Sequence, residues 1–137
     1  MKRVFLISGV CFAVVTLYIG YLFTSNFWDN RNPFVKQHMW DVTRAWTGVP
    51  DLPADARYFK IQTDGDFLTR KFKCSFSAPR AKIEAWVAKV PDLDKAERSD
   101  LPDGWQEYVG RGKEGATYFK LGLHPEMTAV RLFVSWN

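Results

Sequence analysis

The hydrophobic pattern changes period along the chain, and each period predicts a different element. Val4 to Phe23 is an apolar run without a charged residue. A helix over it, at about 1.5 Å per residue, is roughly 30 Å long, the thickness of bilayer hydrocarbon. The run therefore predicts a single transmembrane helix. A cleaved secretory signal also begins with basic residues and an apolar core, but Leu22 with Thr24, or Phe23 with Ser25, puts a bulky residue where a signal peptidase needs a small one. Cys11 follows Val10, which is too bulky for a lipoprotein site. The expectation is an uncleaved signal anchor.

Beyond the run, Val35, Met39, Val42 and Trp46 recur at helical spacing, widened by Phe34 and Ala45, with Lys36, Gln37, Asp41 and Arg44 opposite. Asn32-Pro33 supplies a cap and a first-turn proline, and Gly48 with Pro50 supplies the stop. This amphipathic helix, 33–47, has three possible occupants for its apolar face: the bilayer, its own domain or a partner.

From Arg57 the period falls to 2. Phe59, Ile61 and Thr63 oppose Tyr58, Lys60 and Gln62, while Leu68, Phe72, Cys74 and Phe76 oppose Thr69, Lys71, Lys73 and Ser75. Asp64-Gly65 between them is the signal of a tight hairpin. Ser77-Ala78-Pro79 opens a second helix with Ile83, Trp86, Val87 and Val90 on one face, stopped by Pro91. Pro91 to Gly104 shows no period and reads as an acidic loop. A short strand over Trp105–Val109 leads to a glycine-rich turn at 110–115. Thr117, Phe119, Leu121 and Leu123 then alternate, as do Val130, Leu132, Val134 and Trp136 across the turn at His124-Pro125-Glu126. The expected class is α+β: an N-terminal transmembrane helix, an amphipathic helix, and a small antiparallel sheet of two hairpins packed against one or two helices. The expected domains are an anchor over 1–25, a juxtamembrane segment over 26–50 and an extracytoplasmic domain over 51–137.

Composition refines this picture. About 110 residues beyond the anchor suffice for one small core, and the 16% aromatic fraction, with six tryptophans, provides large buried surfaces. Cys11 and Cys74 fall in different segments, so no disulfide framework is expected. Lys2 and Arg3 precede the apolar run, which places the N-terminus in the cytoplasm and the C-terminal domain outside it, periplasmic or extracellular. The remainder holds 17 basic and 15 acidic residues, a balance of +2, which is not that of a nucleic-acid-binding protein. The charge is nevertheless segregated: residues 57–90 carry eight basic and three acidic groups, and 91–107 two basic and six acidic.

Candidate chemistry is sparse. Gly110-Arg-Gly-Lys-Glu-Gly115 lacks the spacing and the strand-to-helix context of a phosphate loop. His38, His124 and Cys74 stand apart, so neither a metal site nor a cofactor is expected. Cys74 with His124, or the carboxylates Asp92/Asp94 and Asp100/Asp103, are the residues a small hydrolase or transferase would use. Cys74 lies between Phe72 and Phe76 in the apolar pattern, the setting of an inert thiol. Lys60, Lys71 and Lys73 with Tyr58 and Phe67 make a basic, aromatic strand surface suited to anionic headgroups or an acidic partner. No enzyme is expected. The sequence points to a single-pass protein, held in the bilayer by residues 4–23, whose domain binds another protein or the membrane surface, as a binding or accessory module that is a subunit of or partner to an envelope assembly. The alternatives are an immunity-type protein that blocks a toxin through the acidic 91–107 loop, and the hydrolase.

Overall fold

The computed structural model describes residues 11–20, 33–64 and 70–136. The chain divides into two compact units, Met1–Lys36 and Gln37–Asn137.

In the first unit, residues 11–20 form helix α1, with every side chain exposed. It covers the middle of the expected span, and the remainder of Val4–Phe23 lies outside the described residues. Among the described residues no helix is long and apolar enough to cross a membrane. The first turn of the next helix, α2 (Pro33–Thr47), belongs to this unit and the rest of α2 to the second.

The second unit contains α2, strands β1 (Arg57–Asp64) and β2 (Arg70–Ser77), helix α3 (Arg80–Val87), and strands β3 (Glu97–Asp100), β4 (Gln106–Arg111), β5 (Tyr118–Leu123) and β6 (Ala129–Trp136). Among the described residues of the chain the class is α+β: six antiparallel strands in the order β1-β2-β6-β5-β4-β3, with three helices. The two expected hairpins are thus parts of one sheet, joined where β6 pairs along the full length of β2, from Arg70 opposite Trp136 to Ser77 opposite Ala129. A four-strand meander returns to a two-strand hairpin, and α3 bridges them.

Alternation decides which face is covered. Ile61, Phe72, Cys74, Phe76, Phe119, Leu121, Leu123, Val130, Leu132 and Val134 are all buried. The register places Ile61, Cys74, Leu132 and Leu121 side by side in a single row. Both helices of this unit lie on this face: Trp40 meets Phe59 edge-on at 5.6 Å, Trp46 meets Phe72 at 5.3 Å, and Trp86 meets Phe76 at 5.3 Å. Burying each such side chain contributes roughly 1.5–3 kcal/mol. The face of α2 is therefore occupied by its own sheet.

That face is not the expected one. Met39, Trp40, Thr43 and Thr47 are its buried residues, whereas Val35, Val42 and Trp46 are half-buried and Phe34 is 84% exposed. The stripe is rotated because buried threonines read as polar. Each hydroxyl is satisfied by its own helix, Thr43 Oγ1 donating to the Met39 carbonyl at 2.8 Å and Thr47 Oγ1 to the Thr43 carbonyl at 2.7 Å. Gly48 ends α2 as expected: at φ +75° its N–H bonds the Arg44 carbonyl at 2.6 Å.

Three local expectations are corrected. Asp64 is the last residue of β1 and pairs with Lys71, so it is a strand residue and not a turn one, while Gly65 lies outside the described residues. Ser77 remains in β2, and the residue before α3 is Pro79, with no side-chain cap. The acidic loop contains a 3₁₀ turn at Leu93–Lys95 and the edge strand β3, which pairs with β4 from Glu97 opposite Val109 to Asp100 opposite Gln106. All four residues of β3 are exposed, so no apolar alternation betrays the strand.

Candidate functional site: the open face of the sheet

The glycine-rich segment is spent on architecture. Gly110 lies in β4 opposite Phe119, Gly115 takes φ +89°, and the Lys113 N–H bonds the Trp46 carbonyl at 2.7 Å, which fixes this turn to the end of α2. The nucleophile and base of the hydrolase reading are not brought together. Cys74 is buried beneath α2, with Sγ 3.9 Å from Thr43 Oγ1, and burial pushes its thiol up to about 12. His124 sits in the β5–β6 turn, its ring edge-on to Trp105 at 5.2 Å and its Nδ1 accepting from the Glu126 N–H at 3.2 Å. The acidic-loop carboxylates engage separate cations: Asp92 with Lys95 at 2.6 Å, Asp100 with Arg98 at 3.7 Å, and Asp103 with Arg131 at 3.6 Å. Asp92 is held below its usual range chiefly by the hydrogen bond from Lys95. His38 is exposed on α2. Among the described residues no group of three or more His, Cys, Asp or Glu could hold a metal ion.

What the fold does assemble is the sheet face opposite the helices. Register defines its rows. Lys60, Ser75, Arg131, Gly122 and Glu107 lie side by side across β1, β2, β6, β5 and β4. The next row reads Gln62, Lys73, Phe133, Lys120 and Val109, and a third places Lys71, Ser135, Tyr118 and Arg111 together. The first two rows floor a cavity of about 390 Å³ whose lining includes Lys60, Lys73, Lys120 and Arg131 against a single carboxylate, Glu107.

One end of this cup is walled by the β3–β4 turn. Leu101 N–H bonds the Trp105 carbonyl at 2.8 Å, Gly104 N–H bonds the Leu101 carbonyl at 2.9 Å, and Gly104 takes φ +82°, a value at which any other residue is strained. The turn holds Trp105 against the sheet, where the Arg131 guanidinium stacks 3.8 Å from its ring centroid. A Cβ at Gly122 would meet both Trp105 and Arg131 at 3.5 Å, an ordinary packing distance, so the strand fits closely beneath them. Beside them Lys120 Nζ bonds Glu107 Oε1 at 3.0 Å, with side chains 40% and 22% exposed. At the centre Phe133 is half-buried, its ring 5.9 Å from Tyr118.

Of the basic, aromatic surface read from the sequence, Lys60, Lys71 and Lys73 are on this face. Phe67 lies outside the described residues. Tyr58, at φ 55°, falls where the β1–β2 register shifts and is 79% exposed. Sequence reasoning missed Trp105, Glu107, Lys120, Arg131 and Phe133. For Lys120, Arg131 and Phe133 the signal was present as the other half of the β5 and β6 alternation, but it acquires meaning only once β6 is known to lie between β2 and β5. Comparison with protein-family models, curated proteins and solved structures finds no match.

Proposed function

We propose that this chain is a single-pass membrane protein, anchored through residues 4–23 with its N-terminus in the cytoplasm, whose α+β domain outside the cytoplasm is a binding or accessory module of an envelope assembly. The contact is made through the open face of the sheet. One observation carries the reading: the helices of the domain cover one face only, and the other is a walled cup lined by Lys60, Lys73, Lys120 and Arg131, with Lys120 paired to Glu107 and Arg131 to Asp103, around an aromatic floor. A wet antiparallel face is ordinary. A concave one with segregated charge and ordered aromatics is the form that recognition takes. The charge-free run of Val4–Phe23, preceded by Lys2 and Arg3, supports the anchor and its orientation.

Two experiments test this. Affinity capture of the full-length chain from mild-detergent membranes is expected to co-isolate a protein that the double variant Lys60→Glu/Lys73→Glu no longer retains; recovery of a lone monomer, or a partner indifferent to the variant, refutes the contact surface. Protease added to intact cells or spheroplasts is expected to digest the C-terminal domain. Protection until the cytosol is opened refutes the orientation.

A further inference from the structure

We infer that the domain docks on an anionic bilayer surface through its β1 edge, with Tyr58 set into the headgroup layer and the sheet standing away from the membrane. This rests on the chain being anchored through residues 4–23 and adds where the domain touches lipid. The fold gives the segregated charge of the sequence a direction. Residues 57–90, eight basic and three acidic, include β1, β2 and α3, whereas 91–107, two basic and six acidic, include β3 and the start of β4. The strand order β1-β2-β6-β5-β4-β3 sends these segments to opposite ends of the sheet, five strand spacings or roughly 24 Å apart. The domain therefore carries a charge dipole across its width, basic at β1 and acidic at β3. Such a field turns the basic edge toward a negatively charged surface and holds the acidic edge off.

The β1 edge itself has the chemistry of a membrane interface. Its one sheet neighbour is β2, and Arg57, Lys60 and Gln62 along it are exposed. On α3, Arg80 holds Glu84 at 2.6 Å and Lys82 holds Asp55 at 3.5 Å, whereas Arg57 and Lys60 hold no carboxylate among the described residues. Between them Tyr58 takes φ 55°, an outlier for a bulky side chain, at the point where the β1–β2 register shifts. A bulge re-aims the side chain it carries, and here the Tyr58 ring stands 79% exposed while its neighbour Phe59 packs on Trp40. A tyrosine flanked by cations suits the headgroup layer: the ring enters it, the hydroxyl stays wet, and the guanidinium and ammonium groups meet lipid phosphates. The β3 edge offers no such contact, because Glu97 and Asp100 are exposed on it and Arg98 is engaged by Asp100 and lies over the Tyr108 ring. A single-stranded nucleic acid needs a series of exposed rings, and β1 exposes one among its described side chains. With β1 at the membrane, the open face of the sheet looks sideways along the bilayer, where a membrane-held partner reaches it.

The test reads nitroxide accessibility, by power-saturation electron paramagnetic resonance, on the full-length chain in nanodiscs. The chain carries Cys11→Ser and a label at Gln62→Cys on β1 or at Ser99→Cys on β3; Cys74 is buried and takes no label. In phosphatidylglycerol discs the β1 label is expected to be screened from a water-soluble nickel relaxant and open to oxygen, and the β3 label to stay in water. Phosphatidylcholine discs, about 500 mM NaCl, and the variant Arg57→Glu/Tyr58→Ser should each lower that screening several-fold. A β1 label as wet as the β3 label in phosphatidylglycerol overturns the docking, and so does immersion of the β3 label or screening that survives both the salt and the variant. A label on the native Cys11 keeps the two readings apart. With Cys11 immersed and β1 in water, the anchor stands and the docking alone fails; Cys11 in water overturns the anchor on which the docking rests. Because Arg57→Glu/Tyr58→Ser leaves Lys60 and Lys73 in place, affinity capture of a partner should survive it. Loss of the partner on that variant makes the β1 edge a protein contact and overturns its assignment to lipid.

Discussion

Asp51 ties both helices of the second unit to the connection that leads into the sheet, and its removal is the sharpest test of how the covered face is built. Its Oδ1 accepts the Trp40 indole N–H at 2.9 Å and its own neighbour's, Leu52 N–H, at 2.8 Å, while its main-chain carbonyl accepts the Trp86 indole N–H at 2.9 Å. Asp51→Ala leaves the bond to Trp86 intact and orphans the indole of Trp40, a residue only 1% exposed. An unsatisfied buried donor costs about 1–3 kcal/mol, which in a domain of this size lowers the melting temperature by roughly 4–8 °C per kcal/mol. Asp51→Asn keeps the acceptor oxygen and loses only the charge. The ion pair with Arg44 spans 3.6 Å between side chains 36% and 65% exposed, so that loss is expected to stay below about 1 kcal/mol.

The assay is thermal and urea unfolding of the full-length chain in mild detergent, followed by near-ultraviolet circular dichroism, for Asp51→Ala, Asp51→Asn, Trp40→Phe and the Ala/Phe pair. In the pair the missing donor no longer needs an acceptor, and a coupling of about 1 kcal/mol is expected. The hydrogen bond from Trp40, more than the charge of Arg44, holds the Asp51 carboxyl below its ordinary value. Its contribution is therefore complete above the unfolded value near pH 4 and is lost as pH falls through the lower folded value. Asp51→Asn should remove that part of the acid limb. An Asp51→Ala variant within about 0.3 kcal/mol of wild type, or an Asn variant as damaging as the Ala one, refutes the reasoning.

Cys74 should resist iodoacetamide at pH 8 in the folded chain and react once urea unfolds it, read by mass spectrometry, because burial lifts its thiol to about 12. Its buried neutral form stabilises the fold below the ordinary value of 9.0, and that contribution is lost as pH rises toward the folded value, so Cys74→Ala should flatten the alkaline limb of the stability profile. Gly110→Ala drives a Cβ to 2.5 Å from the Phe119 ring and should cost about 1–3 kcal/mol in urea unfolding. Gly122→Ala, with nothing nearer than 3.5 Å, should stay within about 0.5 kcal/mol, and equal costs at the two sites would be a failure of the packing argument. Trp105→Ala removes the ring beneath Arg131 and the wall of the cup, and should lower stability by about 3 kcal/mol in urea unfolding.

The strands were legible where water touches one face and not the other. Phe72, Cys74 and Phe76 in β2 and Phe119, Leu121 and Leu123 in β5 alternate because helices cover only their side of the sheet. β3 was illegible for the same reason inverted: Glu97 to Asp100 is wet on both faces, and pairing with β4 is all that makes it a strand. The turn signal at Asp64 is local and modest, and Asp64 extends β1 instead, in a register that sets buried Ile61 opposite Cys74 on the covered face. In α2 the misreading came from two hydroxyls that polarity scales count as exposed and the helix itself satisfies.

The candidate site was half legible, and the missing half is a matter of order rather than composition. Lys60, Lys71 and Lys73 belong to a hairpin whose strands are adjacent in sequence, so their shared face could be read directly. Lys120, Arg131 and Phe133 join them because β6 returns to β2 across more than fifty residues, a pairing that no local signal encodes. Core and cup are nonetheless set by one register. Leu132 and Val134 point to the helices only while Arg131 and Phe133 point away, and a one-residue slip of β6 would exchange them, burying a guanidinium and exposing two aliphatic side chains. The cost of that exchange, several kcal/mol for the buried charge alone, holds the floor of the cup in place whatever charges it carries. Substitutions at Lys60, Lys73 and Lys120 then leave unchanged the geometry that presents them, because the opposite face fixes it.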